Sequence, residues 1–397
     1  MDFRFTAEEE AYREEVRGWL AANIPAWWRE SGRDPRDNSD GHFDRLRDWH
    51  RTLYDAGYMA STWPAEYGGQ GRTPVENAIL QEEMARMQAP PTVNGLGIGL
   101  AGPAIIHHGT DEQKKRFLRP MLRADEMWCQ GYSEPGAGSD LANVQTRAER
   151  KGDFYVVNGQ KIWTSGAHLA DWNFCLVRTD PSAPKHGGIG FLLIDMRSKG
   201  IETQPLLQMN GNAGFSQVFY TDVQVPVDNM VGQPTEGWKV ANTVLGYERG
   251  AGTLSRSASF KVRLEQLFEL AQRSERGGQP LSQDPIERQR LAQLAIEVEV
   301  LRLAGLRVLT SLVQGRGHGP ESSISKVYYS ELDQRMAAVG NALTGPYGQL
   351  ARKSSQAPVQ GEWAHREVTS RAVSIFSGTN QIQRNIIAER VLGLPRR

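Results

Sequence analysis

The hydrophobic pattern of this chain changes period twice, and that change limits its fold more than any single motif. Up to residue 124 the apolar residues recur at helical spacing. Val16, Trp19 and Leu20 follow Thr6 and Glu9, a pair that reads as a capping box. Residues 44–54 and 74–87 read as further helices. So does a stretch opened by the capping pair Thr110 and Gln113 that closes near Pro120. From 125 to about 231 the segments are short and rich in Val, Ile, Phe, Tyr and Trp. There Asn158-Gly159, set between Phe154-Tyr155-Val156-Val157 and Lys161-Ile162-Trp163-Thr164, predicts a β-hairpin whose two turn residues take positive φ. Six to eight strands are expected. Helical spacing returns at Gly237, over 240–274, 285–314 and 321–342, with 276–284 as a loop, and over 362–391 with one break near Ser377-Gly378-Thr379. The reading is an α+β chain: a helical unit at 1–124, a β-sandwich or barrel-like unit at 125–235, and a helical bundle at 236–397.

Size and charge agree with this. The chain has 397 residues, more than the roughly 250–300 at which one core stops growing. Its 46 basic and 46 acidic residues cancel, so no global field draws it to nucleic acid or an anionic membrane. No run of about 18 apolar residues predicts a membrane span. The N-terminal sequence lacks the apolar core of a signal peptide. Cys129 and Cys175 are the only cysteines, too few for a disulfide framework, so reduced thiols and a cytoplasmic location are expected. The adjacent His107 and His108 lack partners at metal-ligand spacing, so no metal is expected; one of them is read as capping a helix end.

Three segments carry the chemistry. The first is Gln130-Gly131-Tyr132-Ser133-Glu134-Pro135-Gly136-Ala137-Gly138-Ser139-Asp140. It reads as a strand running into a turn, either a plain β-turn or one whose glycines admit a flat or anionic ligand. The second is Asn158-Gly159-Gln160-Lys161-Ile162-Trp163-Thr164-Ser165-Gly166. Its tryptophan is either a core residue or a platform for a heteroaromatic ring. The third is Ser377-Gly378-Thr379-Asn380-Gln381-Ile382-Gln383-Arg384, a helix break in which Thr379 and Asn380 can cap the next helix.

In this order and at these separations, the three segments resemble the acyl-CoA dehydrogenase family. The Trp63-Pro64-Ala65-Glu66-Tyr67-Gly68-Gly69 loop, residues 108–120 and the closing Ile387-Ala388-Glu389-Arg390-Val391-Leu392-Gly393-Leu394-Pro395 extend the resemblance over almost the whole chain. It implies an N-terminal helical domain, a middle β-domain and a C-terminal four-helix bundle that hold FAD, in dimers or tetramers. It implies fatty acid or sterol catabolism, with an acyl-CoA as substrate and an electron-transfer flavoprotein as acceptor. It places Gln130, Tyr132 and Ser133 along the flavin pyrimidine, Trp163 on the ring and Ser165 near N5. Thr379 and Gln381 fall at the adenosine end, and Arg276 and Gln289 at positions that reach a neighbouring subunit's FAD. Ser139 and Arg249 fall at positions for the acyl-CoA ligand.

The family reaction needs a carboxylate to take the α-proton of a thioester while hydride leaves Cβ for flavin N5. In short- and medium-chain members that carboxylate precedes the Gly-Thr of the third segment. Here Ser377 stands there, with no carboxylate but with a backbone N–H that can donate to the thioester oxygen. In other members the glutamate lies on a bundle helix just before an arginine, which Glu248 and Arg249 match. Glu248 is therefore the expected base. A solvated helix glutamate is the plainer reading of the same residue. The family's Gly-Gly-x-Gly segment is also missing, replaced at 354–363 by Ser-Ser-Gln-Ala-Pro-Val-Gln-Gly-Glu-Trp. That leaves open a heteromer in which an unlike subunit completes the site. Gly95, Gly99 and Gly102 share one face if helical, either to make room for a branched or polycyclic acyl group or to pack closely. A flavin monooxygenase or oxidase on the same scaffold is the other enzymatic reading. The carboxylate at 248 counts against it, and oxygen consumption by reduced flavin would favour it.

Overall fold

The computed structural model describes residues 5–30, 41–250, 253–316, 319–352 and 354–395, with backbone alone at 248–250 and 253–254. The first helices are α1 (Ala7–Asn23), α2 (Ala26–Glu30), α3 (His42–Asp55), α4 (Pro74–Arg86), α5 (Gly102–His108) and α6 (Asp111–Leu122). Seven strands follow: β1 (Trp128–Gly131), β2 (Arg147–Lys151), β3 (Phe154–Ser165), β4 (Trp172–Arg178), β5 (Ile189–Asp195), β6 (Ile201–Leu206) and β7 (Phe215–Pro226). Then come α7 (Gly237–Gly250), α8 (Thr253–Arg273), the short β8 (Glu275–Arg276) and β9 (Gln279–Pro280), α9 (Pro285–Val313), α10 (Ser322–Leu343), α11 (Glu362–Val373) and α12 (Asn380–Ile386). Contacts group the chain into two compact units. One gathers Met1–Asn23, Thr73–Ala89 and Arg249–Arg397; the other gathers Ile24–Arg72 and Pro90–Glu248. Among the described residues, no helix is long and apolar enough to cross a membrane.

The first unit is helical. α8, α9, α10 and α11 share a core that includes Phe260, Leu267, Leu294, Leu301, Leu332 and Trp363. Gly340 on α10 makes that packing possible, since a Cβ there would stand 2.1 Å from the Trp363 ring. The capping box of α1 forms as expected, with Thr6 N–H donating to Glu9 at 2.8 Å and Glu9 N–H donating to Thr6 Oγ1 at 3.2 Å. α1 is tied to α4 by the buried Arg13, whose guanidinium meets Glu82 at 2.9 Å and Glu83 at 2.7 Å.

The second unit contains the sheet, in the order β1-β4-β2-β3-β7-β6 with β5 on β4. Every residue of β4 is buried, the pattern of a strand covered on both faces. The capping box of α6 also forms, and Gln113 reaches on from it to the carbonyls of Asp228 and Met230 at 2.6 and 2.9 Å. The Trp63 loop explains Gly102: a Cβ there would lie 2.1 Å from the Trp63 ring.

Several local expectations fail, each for a physical reason. Asn158-Gly159 is not a hairpin turn, because β3 runs through it without a break. The turn between β2 and β3 lies at Gly152 (φ +62°). At 158–159 the β3–β7 register shifts by a bulge. Asn158 bridges to Asp222 through two hydrogen bonds of 2.9 and 3.0 Å. Gly159 is required because a Cβ there would sit 2.7 Å from Thr146 Cα. Bulges and two-residue turns make the same demands on residue type. By contrast, α6 does end near Pro120, at Leu122, with the proline in its last turn. Within 240–274 the described residues are helical on both sides of 251–252, as α7 and α8, and residues 251–252 lie outside the described residues. The expected loop at 276–284 begins with a β8–β9 hairpin whose turn is Gly277-Gly278, at φ +61° and +77°.

His50 on α3 is fully buried, with Nε2 2.9 Å from the Leu122 carbonyl. Burial, together with Arg51 and Arg47 nearby, pulls its pKa down to about 4. The unfolded chain protonates this ring below about pH 6.5. Stability present above pH 6.5 is therefore lost as pH falls from 6.5 to 4, by about 3 kcal/mol in all. A His50→Gln variant should show a shallower loss of melting temperature across that window. Equal slopes in both proteins would refute the assignment.

Candidate active site

The first motif leaves the sheet at the end of β1. Gln130 pairs with Phe174 of β4 in parallel register. Tyr132 is buried edge-on to Phe174 and Phe191, and Ser133 is half-buried. Glu134 and Ala137 then exchange backbone hydrogen bonds of 2.9 and 3.0 Å, with Pro135-Gly136 at the tip of a tight turn. A Cβ on Gly136 or Gly138 would meet nothing within 4 Å. Ser139 is exposed.

A residue pair missed by the sequence reading holds this turn. The buried Glu134 carboxylate accepts from the N–H of Gln145 at 2.6 Å, the N–H of Thr146 at 2.9 Å and Lys161 Nζ at 2.7 Å. Lys161 has no exposed surface and also donates to the Tyr132 carbonyl at 3.2 Å. Burial alone would raise the pKa of this carboxyl. The Lys161 ammonium and the N–H donors outweigh it and hold Glu134 below the usual carboxylate range. One residue past Lys161, Ile162 N–H donates to the Ser133 carbonyl at 2.9 Å. The first and second motifs are thus joined side by side. No local signal marks this pair in the sequence: Lys161 sits in a strand of mixed polar and apolar residues, and Glu134 is 27 residues away.

Trp163 follows at once. The β3–β7 register breaks between Lys161 and Thr164, and Trp163 takes φ +60°. A non-glycine residue in that region carries of order 1–3 kcal/mol of strain, held by the structure around it. The effect is to turn the indole out of the sheet. All ten tryptophans are described, and Trp163, 57% exposed, is the one that is exposed. Its ring stands edge-on to Phe215 at 6.1 Å. Ser165, half-buried, pairs with Phe215 on β7.

The third motif lies in the helical unit. Ser377 (φ +55°) and Gly378 (φ +80°) make consecutive left-handed steps. Gln383 Nε2 donates to both of their carbonyls, at 3.1 and 3.3 Å. Thr379 caps α12, accepting from Ile382 N–H at 3.2 Å. Asn380 is not a second cap. It is the first residue of α12, buried, and its Oδ1 accepts from Lys326 Nζ and Ser330 Oγ of α10, both at 3.0 Å. Gln381 and Gln289 are exposed. Arg276 is exposed and pairs with Asp284 at 3.3 Å and Glu287 at 3.5 Å. At 359–361 three residues in a row are left-handed, Val359 (φ +48°), Gln360 (φ +55°) and Gly361 (φ +72°).

Glu248 and Arg249 lie in the last turn of α7, and their side chains fall outside the described residues. The histidines before α6 do not cap a helix end. His107 Nε2 lies 3.0 Å from Tyr247 Oη and His108 Nε2 lies 2.8 Å from Thr243 Oγ1, both on α7. The glycine segment ahead of α5 contains a π-turn at Gly97–Ala101. Gly95 and Gly99 have open space where a Cβ would stand. A cavity of about 690 Å³ among α1, α4, α8 and α9 is lined by none of the residues singled out from the sequence.

Comparison with known proteins agrees with the order of these motifs. Residues 6–125 match the acyl-CoA dehydrogenase N-terminal domain, 129–223 its middle domain and 235–392 its C-terminal domain. The chain belongs to the acyl-CoA dehydrogenase family. It is an oxidoreductase acting on acyl-CoA. Acyl-CoA dehydrogenase IpdE1 of Mycobacterium tuberculosis is 38% identical to it over 396 residues, 98% of each chain. Among solved structures, the ChsE4-ChsE5 complex from Mycobacterium tuberculosis is similar at 34% identity and a TM-score of 0.87, over all of both chains. The Tcur3481-Tcur3483 steroid ACAD is similar at 30% identity and a TM-score of 0.88, also over the full length of both.

Proposed function

We propose that this chain catalyses FAD-dependent α,β-dehydrogenation of an acyl-CoA thioester to the trans-2-enoyl-CoA, with a bulky steroid-derived acyl group as substrate. The supporting observation is Trp163, an exposed indole on a strained bulge, joined through Ile162 to Ser133. This arrangement fits a flat heteroaromatic cofactor. An exposed indole follows the residue hydrogen-bonded to Ser133, Ser133 and Ser165 are half-buried, and Gly136 and Gly138 of the neighbouring turn leave open space. On this reading Gln130, Tyr132, Ser133, Trp163 and Ser165 hold the flavin, and Thr379, Gln381, Arg276 and Gln289 serve its adenosine end in this or a neighbouring subunit. When bound, FAD supplies the acceptor for the hydrogen and electron pair leaving Cβ. An electron-transfer flavoprotein would be the partner that accepts the electrons.

The chain's own residues do the rest. Glu248 takes the α-proton. The Ser377 backbone N–H donates to the thioester oxygen, favouring the charge that develops there. Ser139 and Arg249 bind the CoA portion. Gly95 and Gly99 leave room for the acyl group, whereas Gly102 is committed to packing on Trp63. The steroid assignment draws on the Tcur3481-Tcur3483 steroid ACAD and on that open space.

Anaerobic titration with acyl-CoAs of increasing bulk, followed by flavin absorbance, tests the reading. Steroid-derived thioesters should bleach the flavin most readily. Gly99→Leu should impair bulky substrates at least about tenfold more than short ones. A protein carrying one FAD per chain that no acyl-CoA bleaches overturns the proposal, and equal loss on all chain lengths removes the pocket role of Gly99. A heteromer is the second reading, favoured by the glycine-free sequence at 354–360 and by the two-chain ChsE4-ChsE5 neighbour. It predicts less than one FAD per chain for this subunit purified alone.

A further inference from the structure

We propose that His107 and Tyr247 form a positioning latch that holds the last turn of α7, and with it Glu248, in place for proton abstraction. This rests on the reading of Glu248 as the base. The argument begins with how α7 is anchored. Val240, Ala241 and Val244 are buried to within 1% and fix the first two turns. Val244 is the last fully buried residue described on α7, and Leu245, Gly246 and Tyr247 are half-buried. Gly246 weakens the helix there by about 1 kcal/mol relative to alanine, and no other side chain packs where its Cβ would be. Among the described residues, the His107 contact on Tyr247 is the α5 contact nearest to Glu248 along α7.

α5 supplies the support. Its first residues, Gly102, Pro103, Ala104 and Ile105, are buried, and Gly102 is seated against Trp63, so α5 is a fixed post. Its last two residues each reach α7. His108 meets Thr243 at 2.8 Å and His107 meets Tyr247 at 3.0 Å. Thr243 and Tyr247 are four residues apart and so share one face of the helix. The second contact falls on the residue immediately before Glu248, beyond the last fully buried residue described on the helix. The same α5 follows the π-turn that contains the open Gly99. One post thus ties the glycine segment to the helix bearing the base. Both contacts involve partly exposed side chains, which contribute little to global stability. Their effect is expected on geometry.

Stopped-flow flavin reduction with the best acyl-CoA tests this on the FAD-loaded enzyme. Tyr247→Phe and His107→Phe should each keep FAD content, melting temperature and substrate Kd, yet lower the limiting reduction rate about tenfold, the scale of one lost hydrogen bond. The double variant should be no slower than either single one. His107→Gln, which keeps a polar nitrogen at that reach, should recover to within about twofold of the parent. A parental rate in Tyr247→Phe, additive losses in the double variant, or a rate loss matched by a fall in melting temperature overturns the latch while leaving the base intact. Full flavin reduction in Glu248→Gln removes the base, and the latch with it.

Discussion

Glu248→Gln is expected to bind FAD at the parental level and to lose about a thousandfold in the rate of flavin reduction by acyl-CoA, the usual range for removing a general base. The reason is the vacancy elsewhere. The third motif presents Ser377, whose hydroxyl cannot hold the α-proton, in a turn closed by Gln383. No carboxylate replaces it within that motif. Glutamine keeps the size of the side chain and its hydrogen bonding but not its basicity, so folding and cofactor content should persist. Absorbance at the flavin maximum, followed after mixing with substrate under anaerobic conditions, reads the result directly. A variant reduced at even a tenth of the parental rate would place the base elsewhere.

The second large effect is expected from Lys161→Met. Lys161 and Glu134 are both buried and joined at 2.7 Å. Removing one partner of such a pair costs about 3–5 kcal/mol, because the other charge stays buried without it. For a unit of this size that corresponds to a fall in melting temperature of about 10 °C. The loss should also be local. The pair fastens the turn after Ser133 to the strand that carries Trp163, so FAD occupancy should drop along with stability. Asp140→Asn is the control. It breaks the exposed pair with Lys185 at 2.6 Å, a type worth less than about 1 kcal/mol, and should change neither quantity. Lys161→Met melting within two degrees of the parent and keeping its flavin would show that the pair does not organise the site.

These two predictions differ in how far the sequence led to them. Glu248 follows from the family resemblance: Ser377 stands where some members carry the carboxylate, and Glu248-Arg249 matches the position that others use. The role of Lys161 came from the fold. Its partner lies 27 residues away, and nothing local to either residue marks the pairing. Asn158-Gly159 follows the same rule. Gly159 does take positive φ (+145°) while Asn158 does not, and a bulge and a turn select the same residue types. Only the approach of Thr146 from the neighbouring strand shows which one is present.

Sequence by itself determined the α+β class, the caps of α1 and α6, and the three motif segments. All of these depend on residues within a few positions of one another, or on a periodicity that persists along an element. Tertiary structure alone decided that Trp163 is turned out of its strand, that Glu134 and Lys161 bind the first motif to the second, and that His107 and His108 grip α7 rather than cap a helix. Each of these depends on how residues far apart in the chain are brought together. Its energy depends on burial and on the partner's position, and neither is written in the local pattern.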